Sequence, residues 1–211
     1  MRIALVCGSP KAKESGSKWL LNYVAKHFGT EVEVVNVHLH KAAKPDTAQL
    51  EALSNADAWI VAFPLYVDGV PGHLLYALRE LEKAGLTNPN RHIYGICNCG
   101  FYEGAQNEPA LDVLKNWAVK CGYVWGGAVG FGGGGGTLSY AGMGKFGQIL
   151  MGPVPKALAS LAKAAEQGQV MESVYPTVAL PRWIYQFCAH DGWRKKIKAN
   201  GGKVEDLERQ F

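Results

Sequence analysis

Residues 8–18 read GSPKAKESGSK and follow the apolar run MRIALVC. Ser9, Ser15 and Ser17 offer three hydroxyls, and Lys11, Lys13 and Lys18 offer positive charge. A helix pattern begins directly afterwards, so free backbone N–H groups of its first turn add further donors. Together these groups suit a terminal phosphate. The same residues also describe an exposed polar turn with Ser17 as helix N-cap. The stretch is not a Walker A loop, because the closing Gly-Lys-Ser/Thr is missing. It is not a Gly-x-Gly-x-x-Gly dinucleotide turn either, since only Gly8 and Gly16 are present.

Two further loops carry chemistry. FPLYVDGVPG presents Pro64, Leu65, Tyr66 and Val67 in a proline-bounded segment. Its backbone can bond the polar edge of a flat ring while Leu65 or Tyr66 packs on the face. CNCGFYEGAQN gives Cys99 and Gly100 followed by Phe101 and Tyr102. A concave apolar site with a few backbone donors fits a planar heterocycle.

Other candidates are weaker. Cys97 and Cys99 form a C-x-C pair, not C-x-x-C, and no disulfide between them is expected. The five cysteines show no metal-ligand spacing. His38 and His40 share one strand face without a third ligand nearby, and His73 lies near the second loop. No nucleophile elbow or zinc-protease spacing occurs, so hydrolase chemistry has little support. No catalytic triad and no metal site are expected.

The elements that must position these loops alternate along the chain. Strands are predicted at Ile3–Cys7, EVEVVNV, AWIVAF, HIYGICNC and YVWGGAVGF. Helices are predicted at Ser17–Phe28, DTAQLEALSNA, PGHLLYALRELEKAG, EPALDVLKNWAVKCG, PKALASLAKAAEQG and the final PRWIYQFCAHDGWRKKIKANG. The glycine-rich GGGGGTLSYAGMG reads as a long flexible connection. Five short apolar strands between helices argue for a parallel sheet covered on both faces. In such sheets ligands bind beyond the carboxyl ends of the strands. All three loops leave those ends.

Composition bounds the partners. The chain has 211 residues and a net charge of +4, without a concentrated basic tract for nucleic acid. MRIALVC is too short for a signal peptide, and no apolar stretch approaches membrane-spanning length. Reduced thiols in a cytoplasm are the natural reading of five cysteines. No nucleic-acid or membrane partner is expected.

The motifs GSPKAKESGS, FPLYVDGVPGHL and NCGFYEGAQN, with the glycine-rich loop at Gly132–Gly136, resemble the flavodoxin-like NAD(P)H-dependent oxidoreductases related to the FMN reductases. The resemblance is best over residues 1–150. It implies a doubly wound five-stranded parallel sheet of order 2-1-3-4-5, with FMN bound at the carboxyl ends of its strands. By that resemblance Ser9, Ser15, Ser17 and Lys18 lie around the ribityl phosphate. Pro64, Leu65, Tyr66 and Val67 would flank the isoalloxazine, and Cys99, Gly100, Phe101 and Tyr102 would line its other side. Many relatives carry arginine where this loop has Lys11; lysine supplies a point charge without the planar fork.

The resemblance further implies a reductase in which NAD(P)H is the transient reductant and a small molecule such as a quinone or free flavin is the acceptor. The alternatives are an electron-transfer flavodoxin, which the +4 charge disfavours, and a nonenzymatic flavin-binding module. A flavin-binding domain is expected over residues 1–170. A helical extension packed on the same domain is expected over 171–211. The frequent Trp and Tyr, and the family tendency, suggest a homodimer.

Overall fold

The computed structural model describes residues 1–86, 88–134 and 144–208. Five strands, β1 (Arg2–Cys7), β2 (Glu33–His38), β3 (Ala58–Pro64), β4 (His92–Asn98) and β5 (Val124–Phe131), form one sheet in the order β2-β1-β3-β4-β5. Every pairing is parallel. The chain steps outward from β1 to β2, then returns past β1 to β3, so strand order reverses beside β1. A crevice opens at that reversal.

Helices α1 (Gly16–Ala25), α2 (Thr47–Ser54), α3 (Gly72–Ala84) and α4 (Glu108–Lys120) follow the first four strands. After β5 come α5 (Gly144–Met151), α6 (Val154–Gln167) and α7 (Arg182–Ala199). The two-residue period of the strands divides the core. Ala4, Val6, Trp59, Val61, Phe63, Ile93 and Cys97 cluster with Leu53, Leu74, Leu78, Leu111 and Leu114 of α2, α3 and α4. The alternate residues Ile3, Leu5, Ile60 and Tyr94 are buried too. On their face the sheet meets α1 and α6. Strands apolar on both sides follow from this double cover.

The glycines of β5 are space for neighbours. A Cβ on Gly126 would lie 2.3 Å from the Tyr94 ring, and one on Gly130 would lie 2.6 Å from the Tyr175 ring. Gly127 has φ +108° and sits where the β4–β5 register slips, between Ile93 and Tyr94. The free edge of β5 is covered by the stretch 171–176. Met171 and Val174 donate to the Gly126 and Ala128 carbonyls at 2.9 Å each, and Gly130 and Gly132 donate back to Val174 and Pro176 at 2.9 and 3.1 Å.

At the amino ends of the strands, Arg91 is 2% exposed. Its guanidinium donates to the Ala56, Ser54 and Leu86 carbonyls at 2.9, 2.6 and 3.1 Å and lies over the rings of Trp59 and Tyr123. One side chain thus satisfies three carbonyls of two chain turns, at the sheet end away from the three loops.

Two compact units divide the chain, Met1–Val178 and Ala179–Phe211. In the second, α7 has no buried residue and is followed by a 3₁₀ turn over Val204–Glu208. Among the described residues no helix is long and apolar enough to cross a membrane.

Candidate functional site

A cavity of about 310 Å³ opens at the carboxyl ends of β1, β3 and β4. Ser9, Lys11, Ser15, Gly16 and Ser17 line it from the first loop, Pro64, Leu65 and Tyr66 from the second, and Asn98, Cys99 and Gly100 from the third. Gly134 adds backbone from the start of the glycine-rich stretch.

The phosphate-type turn is built on the start of α1. Ser15 is the N-cap, in an extended conformation, and its Oγ accepts from the Lys18 N–H at 3.1 Å. The Ser17 N-cap alternative is therefore incorrect: Ser17 is already inside the helix, 1% exposed, and its hydroxyl donates to Asn98 Oδ1 at 3.4 Å. Ser9 is 2% exposed, and its Oγ accepts from the Lys11 N–H at 3.3 Å. Beneath the turn, Cys7 Sγ lies 3.8 Å from Ser15 Oγ. Burial pushes the Cys7 thiol up, against smaller lowering effects of the Ser9 N–H, Ser15 and the Lys18 charge. At neutral pH it is an uncharged floor that does not repel an anion.

The second loop begins as β3 ends. Leu65 N–H donates to the Asn98 carbonyl at 2.9 Å, tying it to the third loop. Tyr66 and Gly69 exchange two backbone hydrogen bonds of 3.1 Å around Val67 and Asp68, whose φ angles are +49° and +54°. Two left-handed residues between paired neighbours make a tight hairpin turn normally given to Asn-Gly. A β-branched residue there is strained. Val67 projects fully into solvent and does not line the cavity.

In the third loop Cys99 is 2% exposed. Its sulfur accepts from Asn107 Nδ2 at 3.4 Å. Burial, first among several effects, raises its pKa, so the thiol is neutral beside the cavity. The Cys99 carbonyl accepts from Gly134 N–H at 2.8 Å, and the Phe101 carbonyl from Gly133 N–H at 2.6 Å. Gly132–Gly134 are buried and bonded, contrary to the expectation of a flexible connection there. Lack of a Cβ permits it: one on Gly132 would sit 2.3 Å from the Tyr102 carbonyl oxygen. Residues 135–143 of that connection lie outside the described residues.

Nine of the thirteen expected residues thus meet around one cavity. Lys18, Val67, Phe101 and Tyr102 do not line it. Lys18 Nζ is engaged by Glu14 at 3.1 Å and by the Lys13 carbonyl at 3.4 Å. Phe101 is half exposed. Sequence reasoning missed Asn98, Gly16 and Gly134. Asn98 carried a signal: it is the one amide side chain at the carboxyl end of an apolar strand, next to a residue already singled out.

Around this geometry the donor set is hydroxyls, one lysine and a helix start at one end, and Leu65, Tyr66, Cys99 and backbone at the other. That set fits a molecule with a terminal phosphate and a flat apolar body. Among the described residues it provides no side chain poised as nucleophile or general base. Among the described residues no group of three or more His, Cys, Asp or Glu is placed to hold a metal.

Comparison with known proteins agrees with the fold. Residues 1–95 match the family described as NADPH-dependent FMN reductase. The azoreductase from Bacillus anthracis strain Sterne is 16% identical, with a TM-score of 0.54 over 79% of this chain and 99% of that one. An NADH:FMN oxidoreductase in its apo form is 18% identical, with a TM-score of 0.54 over 86% of this chain and 96% of that one. The WrbA-like flavodoxin from Agrobacterium tumefaciens is 14% identical, with a TM-score of 0.51 over 80% and 98%. A search of curated proteins returned no match.

Proposed function

We propose that this chain, which matches the FMN reductase family over residues 1–95 and shares the fold of azoreductases and an NADH:FMN oxidoreductase, is an FMN-dependent NAD(P)H oxidoreductase that reduces a small acceptor such as a quinone or free flavin. The family match over residues 1–95 supports flavin-dependent oxidoreductase chemistry at the coarser level. The observation that carries the finer reading is the convergence of the serine turn with the β3 and β4 loops on one open cavity.

Ser9, Ser15, Ser17, Lys11 and the first N–H groups of α1 would hold the phosphate of FMN. Pro64, Leu65 and Tyr66 would flank the ring on one side, with Cys99 and Gly100 opposite. FMN, when bound, would supply the hydride and electron chemistry that no side chain here provides. The chain's own work is to bind, orient and partly dry that ring. Leu65 and the buried thiol exclude water from its surroundings. The neutral Cys99 adds no charge beside it. No side chain need transfer a proton for this chemistry.

Two measurements test the reading. Purified protein, alone or after incubation with FMN, is expected to show the two visible absorption bands of an oxidised flavin. It is also expected to oxidise NADH or NADPH when a quinone, free flavin or ferricyanide is supplied. Protein that binds FMN but is reduced by neither nicotinamide would instead be an electron carrier, and protein that binds no FMN would be neither.

A further inference from the structure

Two imidazoles lie behind the serine turn. His73, in the first turn of α3, places Nε2 3.1 Å from the Gly8 carbonyl oxygen. His38, the last residue of β2, places Nε2 3.0 Å from the Ser9 carbonyl oxygen. A carbonyl only accepts, so both Nε2 atoms carry hydrogen. Neither imidazole lines the cavity.

Their positions are built in. His38 is paired in register with Cys7 of β1, its own carbonyl accepts from Gln49 Nε2 at 3.0 Å, and its ring packs on that of His40 with centroids 4.7 Å apart. His73 reaches Gly8 because that residue has no side chain. A Cβ there would lie 2.5 Å from Leu74 Cδ2, on the residue after His73.

The consequence is electrostatic. Carbonyl oxygens are the negative ends of peptide dipoles and repel an anion. A trans peptide sets its N–H opposite its C=O. Holding the Gly8 carbonyl on His73 therefore leaves the Ser9 N–H on the other side. The next peptide is harder to accommodate. Residue 10 is proline, so the Ser9–Pro10 peptide has an acceptor and no donor. Beside a phosphate it can only repel unless its carbonyl is turned away, and His38 holds that carbonyl.

We propose that His38 and His73 are positioning residues of the phosphate subsite, whose Nε2–H groups hold the Ser9 and Gly8 carbonyls away from the bound anion. This rests on the reading that the Gly8–Lys18 turn takes the phosphate of FMN. His38 and His73 would act on FMN and leave riboflavin, which has no phosphate, nearly untouched.

The test compares Kd for FMN and for riboflavin, by flavin fluorescence, in wild type, His38→Leu, His73→Leu, His38→Gln and His73→Gln. Leucine keeps bulk and removes the donor. The glutamine amide nitrogen extends to about the reach of Nε2 and restores it. Each leucine variant is expected to weaken FMN roughly tenfold, the scale of one lost polar bond, with riboflavin unchanged. Each glutamine variant is expected to recover most of that loss. Should a leucine variant not fold, asparagine replaces it, because its shorter amide falls short of the carbonyl, and the same loss is expected. Unchanged FMN affinity in the leucine or asparagine variants overturns the proposal, as does an equal loss for both flavins. Wild type that does not prefer FMN over riboflavin overturns the phosphate reading itself, whatever the histidine variants do.

Discussion

The cysteines at the carboxyl ends of the strands are sealed thiols. Cys7, Cys97 and Cys99 are buried, and burial raises the pKa of all three. Cys188 is exposed. Since the thiolate is the reactive form, iodoacetamide at neutral pH should label Cys188 first in native protein, with the three buried cysteines reacting only after denaturation. Peptide mass mapping reads the order; early labelling of Cys99 would contradict the neutral, enclosed thiol assigned to it. At this scale the sequence was informative where residue type and loop coincide, as with the serines of the first turn. It was silent on side-chain direction. Lys18 has the right charge, yet Glu14, four residues earlier and just ahead of the N-cap, engages its ammonium group. Phe101 and Tyr102 have suitable rings on the right loop but do not line the cavity.

Elements were legible where hydrophobic period and capping residues agreed. The five strands and the helices α1 to α4 follow that logic, with Gly85 ending α3 in the left-handed conformation. Elements defined by contact alone were not. The β5 edge strip 171–176 is held by backbone bonds to a glycine-rich strand, and α5 emerges from a glycine-containing sequence with a weak pattern. The Val67–Asp68 turn was hidden for a similar reason: its residues contradict its geometry. Replacing Val67→Asn with Asp68→Gly should relieve left-handed strain and raise stability by roughly 1–2 kcal/mol in urea denaturation. No gain would mean that the turn is not strained. At the other end of the sheet, Arg91→Met would leave the Ala56 and Ser54 carbonyls without their donor and the Leu86 carbonyl with only the Tyr123 hydroxyl. A loss of roughly 2–4 kcal/mol is expected in the same assay, with FMN affinity unchanged because the residue is remote from the cavity. Stability within experimental error of wild type would show that the guanidinium is dispensable.

For the whole molecule, the parallel, doubly covered sheet was readable because strand–helix alternation permits few topologies. Assembly was not. Helix α7 has no buried residue, and Trp183, Phe187 and Trp193 are 71%, 69% and 64% exposed. Exposed aromatics of this size suit burial against a partner, and two-fold dimers are the commonest soluble assemblies. Light scattering at micromolar concentration should therefore give twice the chain mass; a monomer throughout would reject the dimer.

The central claim, that the turn between β1 and α1 recognises the phosphate of FMN, is tested most directly by titrating apoprotein with FMN and riboflavin, in wild type and in a Ser15→Ala, Ser17→Ala double variant. Hydrogen bonds to a charged oxygen are worth roughly 1.5–3 kcal/mol each, so wild type should prefer FMN by at least about tenfold. The double variant should lose most of that preference. Its loss of the N-cap bond costs about 1 kcal/mol of folding stability and acts on both ligands alike. Equal affinity of wild type for the two flavins, or equal losses for both in the variant, would contradict the claim.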